Sequence, residues 1–481
     1  MRRLRVPVGD DAERWTTRSG CRRVLLVIHN VTSATRLLDV LPLLSGDPRL
    51  QVLATCTGSS PFLAGVPDLL ESMGLPVLPW EQAKTVPADL AITASYGGQL
   101  GELRGKLAVL SHGVGYNKRL ELRAPSSELR APSTAPVFGL SPEWLLDDGR
   151  PVATATVLSH PEQLERLGAA CPEVVPTAVL AGDPCYDRMV DALPYRERFR
   201  RALGATPCQR LVLLSSTWSP RSLFGDSDGG GGGGEPLRWL LSRLAAELPA
   251  DEYRVVAAAH PNIWHGHGPG QVLAWLDRAR RAGLTLIPPL GGRQALIAAD
   301  CVIGDHGSVT YYAASIGRPV LLGAFPETDL DPGSPVAALG RTAPRLRLHG
   351  GLRAQVDQVI ETHDACRYAG PAALTTSAPG QSAGLLRRLF YDLIGIPEPA
   401  GHPALLDRLP LPGYEPGQRT APLRVLTRLV GVTPPEIAVT RYPDADHEPD
   451  DGDADGVHTS VHEETQDASR LTIADVIVRY A

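Results

Sequence analysis

The sequence predicts an α/β protein built from two doubly wound domains in succession. Two observations carry that expectation: short apolar runs alternate with helical patterns, and the alternation starts again after Gly204. Arg22 to His29 is a brief β-branched run of the kind that parallel strands, buried on both faces, produce. Residues 35–44 then read as a helix and 50–55 as the next strand, and 88–93, 106–110 and 155–158 continue the series. Strands separated by helices need crossover connections, which give a parallel sheet covered on both faces. Ser159-His-Pro-Glu162 has capping-box spacing ahead of a helix over 162–170. In the second set, 184–203 reads as largely helical up to Gly204, followed by strands at 209–215, 253–259, 284–287, 301–304 and 319–322. Ligands of such sheets sit at the carboxyl ends of the strands, so two such domains would hold one in a cleft between them.

The 481 residues give length for two to three domains. Hydrophobic residues make up 43% and aromatic ones only 5%, so the cores must consist mainly of Leu, Val, Ile and Ala. A formal charge of −6 argues against a nucleic-acid partner. Ten Asp and Glu with no Lys or Arg lie between Asp444 and Asp467, however, and setting them aside leaves a body of +4. That acidic tail is poor in apolar residues and is expected to be disordered. No apolar run approaches the 18 residues of a membrane span, and Asp10, Asp11 and Glu13 stand where a signal peptide needs its apolar stretch. Seven scattered cysteines without a CxxC pair fit a reducing cytoplasm better than a disulfide framework or a zinc site.

Several segments read as connectors. Glu121-Leu-Arg-Ala-Pro-Ser-Ser127 is repeated as Glu128-Leu-Arg-Ala-Pro-Ser-Thr134, an expanded loop rather than a repeat architecture. Asp226 to Gly234 is glycine-rich but lacks the Gly-Lys-Ser/Thr ending of a nucleoside-triphosphate loop. Residues 397–416 form a Pro-rich stretch.

Histidine is the informative residue for chemistry. His112 closes a predicted strand in Ser111-His-Gly113 and is followed by Lys118, one of three lysines; His260 closes Val255-Val-Ala-Ala-Ala259 in the second domain. Strand-end histidines in both halves could serve as an acid/base pair, or each could simply hydrogen-bond a loop. Asp305-His306-Gly307-Ser308 lies between a strand and a helix, where backbone N–H groups and a hydroxyl would suit an anion; an ordinary N-cap has the same residues. His260, His265 and His267 lack the helical i, i+4 spacing or the cysteine pair of a metal site. Asp451 to Gly456 imitates half of an EF-hand, but its twelfth position is His462. Cys185 reads as packing rather than as a nucleophile.

These segments together resemble the bacterial CDP-glycerol glycerophosphotransferases, the teichoic-acid primases and polymerases, over about 105–396. Ser111-His-Gly113 through Lys118 is similar to their His-Gly-Thr-Pro segment with its trailing lysine. Ala181-Gly-Asp-Pro-Cys-Tyr-Asp187 is similar to their Gly-x-Pro-x-x-Asp, Ser216-Thr217-Trp218 to Pro-Thr-Trp-Arg, and His260-Pro261 to a His-Pro pair. Asp300 through Ser308 resembles their aspartate–strand–Thr-Asp-Tyr-Ser-Ser block, Arg318-Pro319-Val320 their Arg-Pro, and Gly380-Gln-Ser-Ala-Gly384 their closing Gly-x-Ala helix. Three departures stand out: Ser219 replaces the arginine after Thr-Trp, although Arg221 is near; His306-Gly307-Ser308 replaces Tyr-Ser-Ser; and Val114-Gly115 replaces Thr-Pro.

The resemblance implies a GT-B-like fold, two Rossmann-type domains facing across a cleft with the disordered acidic tail appended. It implies a transferase moving a glycerol-phosphate or sugar group from a nucleotide-diphosphate donor to a hydroxyl acceptor, in cell-envelope polymer or glycoconjugate synthesis. His112 would be the general base and His260 would hold or protonate the pyrophosphate. Gly113, Lys118, Thr217, Asp305, His306, Gly307, Ser308 and Arg318 would bind donor and phosphate, with no metal and no cofactor. The acceptor could be lipid-linked, placing a cytoplasmic protein at the inner membrane face, without nucleic acid. A GT-B scaffold that has lost catalysis and acts as a binding or regulatory protein, and a sugar-nucleotide 2-epimerase-like enzyme, are the alternatives. The expected organisation is an arm over 1–21, an acceptor domain over 22–204, a nucleotide-donor domain over 205–380, a helix over 381–396 returning to the first domain, a Pro-rich linker over 397–440, and the acidic tail over 441–481.

Overall fold

The computed structural model describes residues 3–9, 11–111, 113–119, 136–226, 236–347, 349–413, 419–443 and 454–479. His112, the duplicated segment 121–134, the glycine run 229–234 and residues 444–453 of the acidic stretch lie outside the described residues. The chain divides into two compact units, each assembled from three stretches: 1–192, 327–341 and 369–409 form unit 1, and 193–326, 342–368 and 410–481 form unit 2.

Unit 1 is built on seven strands: β1 (Arg22–Ile28), β2 (Leu50–Cys56), β3 (Val77–Leu78), β4 (Leu90–Thr93), β5 (Lys106–Val109), β8 (Ala155–Leu158) and β9 (Ala178–Leu180). A short hairpin, β6 (Leu146–Asp147) and β7 (Arg150–Pro151), lies before β8. The sheet order is β3-β2-β1-β4-β5-β8-β9, with every pairing parallel. Both faces are covered, which is why β1 reads as an unbroken apolar run: Val24, Leu26 and Ile28 enter one core, and Leu25 and Val27 the other. The first core includes Leu386, Phe390, Tyr391 and Ile394 from the helix Ser382–Ile394, which counts with unit 1 although it follows most of unit 2 in sequence.

Unit 2 carries β10 (Arg210–Ser216), β11 (Tyr253–Ala259), β12 (Thr285–Leu286), β13 (Cys301–Gly304) and β14 (Val320–Leu322) in the order β12-β11-β10-β13-β14, again all parallel. In each unit the strand order reverses beside its first strand, between β1 and β4 and between β10 and β13. Open α/β sheets bind ligands in the crevice at that reversal.

The C-terminal region corrects an expectation. Where a Pro-rich linker and a disordered tail were expected, a further sheet forms in unit 2, ordered β16-β15-β17-β18 from β15 (Leu423–Val432), β16 (Pro435–Tyr442), β17 (Gly456–His462) and β18 (Val476–Val478). One face of this sheet buries Leu426, Tyr442 and Val461, while Asp455 and Asp475 sit at strand ends and accept hydrogen bonds from Leu429 N–H at 2.7 Å and Thr459 N–H at 2.6 Å. Residues 397–409 are likewise not a free linker; Glu398 pairs with Arg387 at 2.7 Å, and Asp407 O accepts from Arg188 at 2.7 Å. No helix among the described residues is long and apolar enough to cross a membrane.

Candidate functional site

In unit 2 the loops that leave β10, β11 and β13 gather most of the expected donor-site residues. Asp305 follows β13 and is fully buried. Gly307 N–H donates to its Oδ1 at 2.9 Å, and Thr217 N–H and Leu223 N–H donate to its Oδ2 at 2.9 and 3.0 Å, joined by the Ser216 hydroxyl at 3.3 Å. One carboxylate thereby ties the loop after β10 to the turn after β13, across the strand-order reversal. Gly307 sits in a tight space: a Cβ there would lie 3.0 Å from Thr217 Cβ and 3.0 Å from Asp305 Oδ1, so Thr217 or the carboxylate would have to shift. The turn delivers the chain into the helix Ser308–Ser315, whose N-cap, Gly307, offers no side-chain acceptor to the first turn. The helix start therefore presents backbone N–H groups and the Ser308 hydroxyl in the manner of an anion site.

His260 follows β11 and reaches the same strand ends, its N–H donating to Ser216 O at 3.1 Å. Its Nδ1 accepts from Asn262 N–H at 3.0 Å, so the side chain caps the helix Pro261–His267. That bond fixes the neutral tautomer: the ring proton is on Nε2, which makes His260 a donor. His306 is buried, its ring edge-on to Phe325 with centroids 6.5 Å apart. Thr217 is buried, while the next residue, Trp218, is 40% exposed.

In unit 1, Gly113 and Lys118 follow β5. Their segment is held from the helix Pro161–Ala170, where Arg166 donates to Tyr116 O at 2.5 Å and pairs with Asp331 at 3.0 Å. Lys118 itself forms a backbone bridge with Leu330, which brings the stretch Glu327–Arg341 into this unit. The Ser159 capping-box expectation is corrected here. The N-cap is His160, whose Nδ1 accepts from Glu162 N–H at 3.1 Å, and Ser159 is engaged instead by Gln163 at 2.8 Å. A His-Pro pair thus caps a helix after a strand in each unit.

Solved structures with a similar fold can now be set beside this geometry. A variant of the wall teichoic acid polymerase TagF matches with a TM-score of 0.52 at 14% identity, over 80% of this chain and 92% of that one. TagF without a named substitution gives 0.50 at 13%, over 80% and 93%. A variant in a crystal soaked for 30 minutes with CDPG gives 0.51 at 13%, over 78% and 88%. The protein shares the fold of TagF. The GT-B-like fold class and the likeness to the glycerophosphotransferases read from the sequence are the ones found, as a likeness of fold. No protein-family model and no curated protein matches the chain.

Against this TagF-like frame, two sequence motifs acquire structural roles. Asp187, closing the Gly-x-Pro-x-x-Asp segment, accepts from Gly380 N–H at 2.8 Å and from Ser382 N–H at 3.1 Å, and so holds the start of the helix Ser382–Ile394. Arg318 is not brought to the donor-site cluster. It precedes β14 and therefore lies at the amino ends of the strands, whereas Thr217, His260 and Asp305–Ser308 lie at the carboxyl ends.

Sequence reasoning assigned no role to His29, which ends β1 at the unit 1 strand-order reversal. It is buried, its Nε2 hydrogen-bonds Gly97 O beyond β4, and its Nδ1 lies 3.3 Å from Thr93 Oγ1. Burial lowers its pKa against a smaller opposing effect of the Gly97 bond. An apolar run ended by histidine, the pattern that singled out His112 and His260, was present at His29 as well.

Proposed function

We propose that the protein is a transferase that binds a nucleotide-diphosphate donor at the carboxyl ends of β10, β11 and β13 and passes its glycerol-phosphate or sugar group to a hydroxyl acceptor. The observation that carries this reading is the Asp305 network, which supports a helix start at Ser308 beyond β13, while His260 stands beyond β11, two strand spacings (about 10 Å) away in the same sheet. A diphosphate suits that pairing, its charge met by the helix N-terminus on one side and by a histidine N–H on the other.

The fixed tautomer assigns roles. His260 can donate a hydrogen bond to the leaving phosphate; it can neither take up the acceptor's proton nor act as a protonated acid without giving up the bond from Asn262. The base must be another group, and the resemblance assigns it to His112. The acceptor oxygen forms a bond to the distal phosphorus or the sugar carbon as the bond from that atom to the bridging oxygen breaks. The hydroxyl proton passes to the base, and the electron pair leaves with the nucleotide. Gly113 and Lys118 would add contacts to the donor and its phosphates in this reading. Envelope synthesis and a lipid-linked acceptor at the inner membrane face extend it further and rest on the resemblance alone.

The test is donor turnover with CDP-glycerol and UDP-linked sugars. His260→Ala is expected to lower kcat by about 10²–10⁴-fold, and Ser308→Ala to weaken donor binding. His260→Gln, which keeps an N–H donor, should retain more binding than the alanine variant. Absence of any nucleotide-dependent rise in melting midpoint, together with unchanged behaviour of His260→Ala, would overturn the proposal. Donor binding without product would favour the binding-protein alternative.

A further inference from the structure

The amino end of the unit 2 sheet holds positive charge that the candidate site does not use. Val302 on β13 is registered against Val320 on β14, so Asp300 and Arg318, each two residues earlier, stand side by side where these strands begin. The helix Arg196–Ala202 brings two more arginines to the same carboxylate. Arg196 donates to Asp300 Oδ1, and Arg200 donates to Oδ2 at 2.6 Å. One carboxylate thus pairs with two guanidinium groups and stands beside a third that it does not pair with. Glu197 lies 3.5 Å from Arg196 and 3.8 Å from Arg200, but its side chain is 69% exposed and too well hydrated to balance the surplus.

Arg200 spends its other donors on the backbone, at Ala298 O and Gln209 O. Arg318 has no such outlet. Among the described residues no hydrogen bond or ion pair holds its guanidinium, and its Nε and that of Arg196 are both buried without an acceptor. Burial and the charge of Arg196 push its pKa down to about 10. A guanidinium half out of water and beside two like charges is stabilised by an incoming anion, and its planar fork matches the oxygens of a phosphate.

We propose that Arg318 and Arg196 form a second anion site on unit 2, one that takes a phosphate group. It is separate from the donor site, since Asp300 and Asp305 are five residues apart along an extended strand, roughly 16 Å. Its occupant is either inorganic phosphate or a small phosphate monoester, which share the chemistry that Arg318 recognises. A group bound there stabilises unit 2 without entering the transfer reaction.

Melting of the full chain decides the matter, followed in inorganic phosphate, in glycerol 3-phosphate and in sodium chloride at matched ionic strength. Both phosphates should raise the midpoint with concentration and chloride should not; the tighter of the two identifies the occupant. Arg318→Gln should weaken that response at least 10-fold, yet melt in phosphate-free buffer no lower than the parent, because it removes a desolvated cation. His260→Ala should keep the full response, which separates this site from the donor site. An equal rise in chloride, or a parental phosphate response in Arg318→Gln, overturns the proposal. Should Arg318→Gln fail to fold, Arg318→Lys, which keeps the charge and loses the fork, decides by the same criterion: undiminished affinity overturns it.

Discussion

The Asp305 carboxylate accepts from three backbone N–H groups and a hydroxyl, so its work is to shape two loops. Hydrogen bonds to a charged acceptor contribute about 1.5–3 kcal/mol each, ample to hold loops that a ligand must find already in place. The Asp305 carboxylate thus orders the turn that leads into the helix Ser308–Ser315. His29 follows β1, beside the strand-order reversal of unit 1, and carries a pH dependence. Burial keeps it neutral in the folded state, while the unfolded chain takes up a proton near pH 6.5. Its contribution is therefore whole above that pH and declines as pH falls below it. Urea midpoints at pH 7.5 and 5.5 should show a drop in the parent that is smaller in His29→Gln; equal drops would mean that other groups carry the acid sensitivity.

At the level of elements, the helix Ser382–Ile394 is attached through one acid. Asp187 accepts at the helix start from Gly380 N–H and, at a buried point, from the N–H and hydroxyl of Ser382. Asp187→Ala should cost about 3 kcal/mol by stranding these donors, and hydrogen exchange should quicken over 382–394 before it does over β1. Most elements were legible in the sequence because doubly covered strands read as plain apolar runs, as at 22–28 and 253–259. The sheet β15–β18 was not, because the acidic residues between its strands dominated the composition of that stretch. The residues gathered beyond β10, β11 and β13 were legible as strand-end motifs. Their joining was not, because Asp305 meets Thr217 across 88 positions and nothing local in either segment announces the other. His160 escaped notice for a simpler reason: Ser159 beside it is the commoner cap.

Each unit is completed by stretches that lie beyond part of the other, and this governs the whole molecule. A chain ending at residue 368 retains every strand of both parallel sheets but loses Leu386, Phe390, Tyr391 and Ile394 from the unit 1 core. Burial of such side chains stabilises by about 1.5–3 kcal/mol each, so the four together approach the 5–15 kcal/mol that holds a domain folded. That shortened chain should lose cooperative melting of unit 1 and bind a hydrophobic dye; a native-like transition would show that the helix is dispensable.

The same interleaving sets a timetable for synthesis. The last strand of the unit 1 sheet ends at Leu180, yet the helix that covers it ends at Ile394. A ribosome adding about 5–20 residues per second takes roughly 10–40 s to cover that interval. Throughout it, the nascent sheet presents an open apolar groove, and whatever shields that groove in the cell must act before the chain is finished.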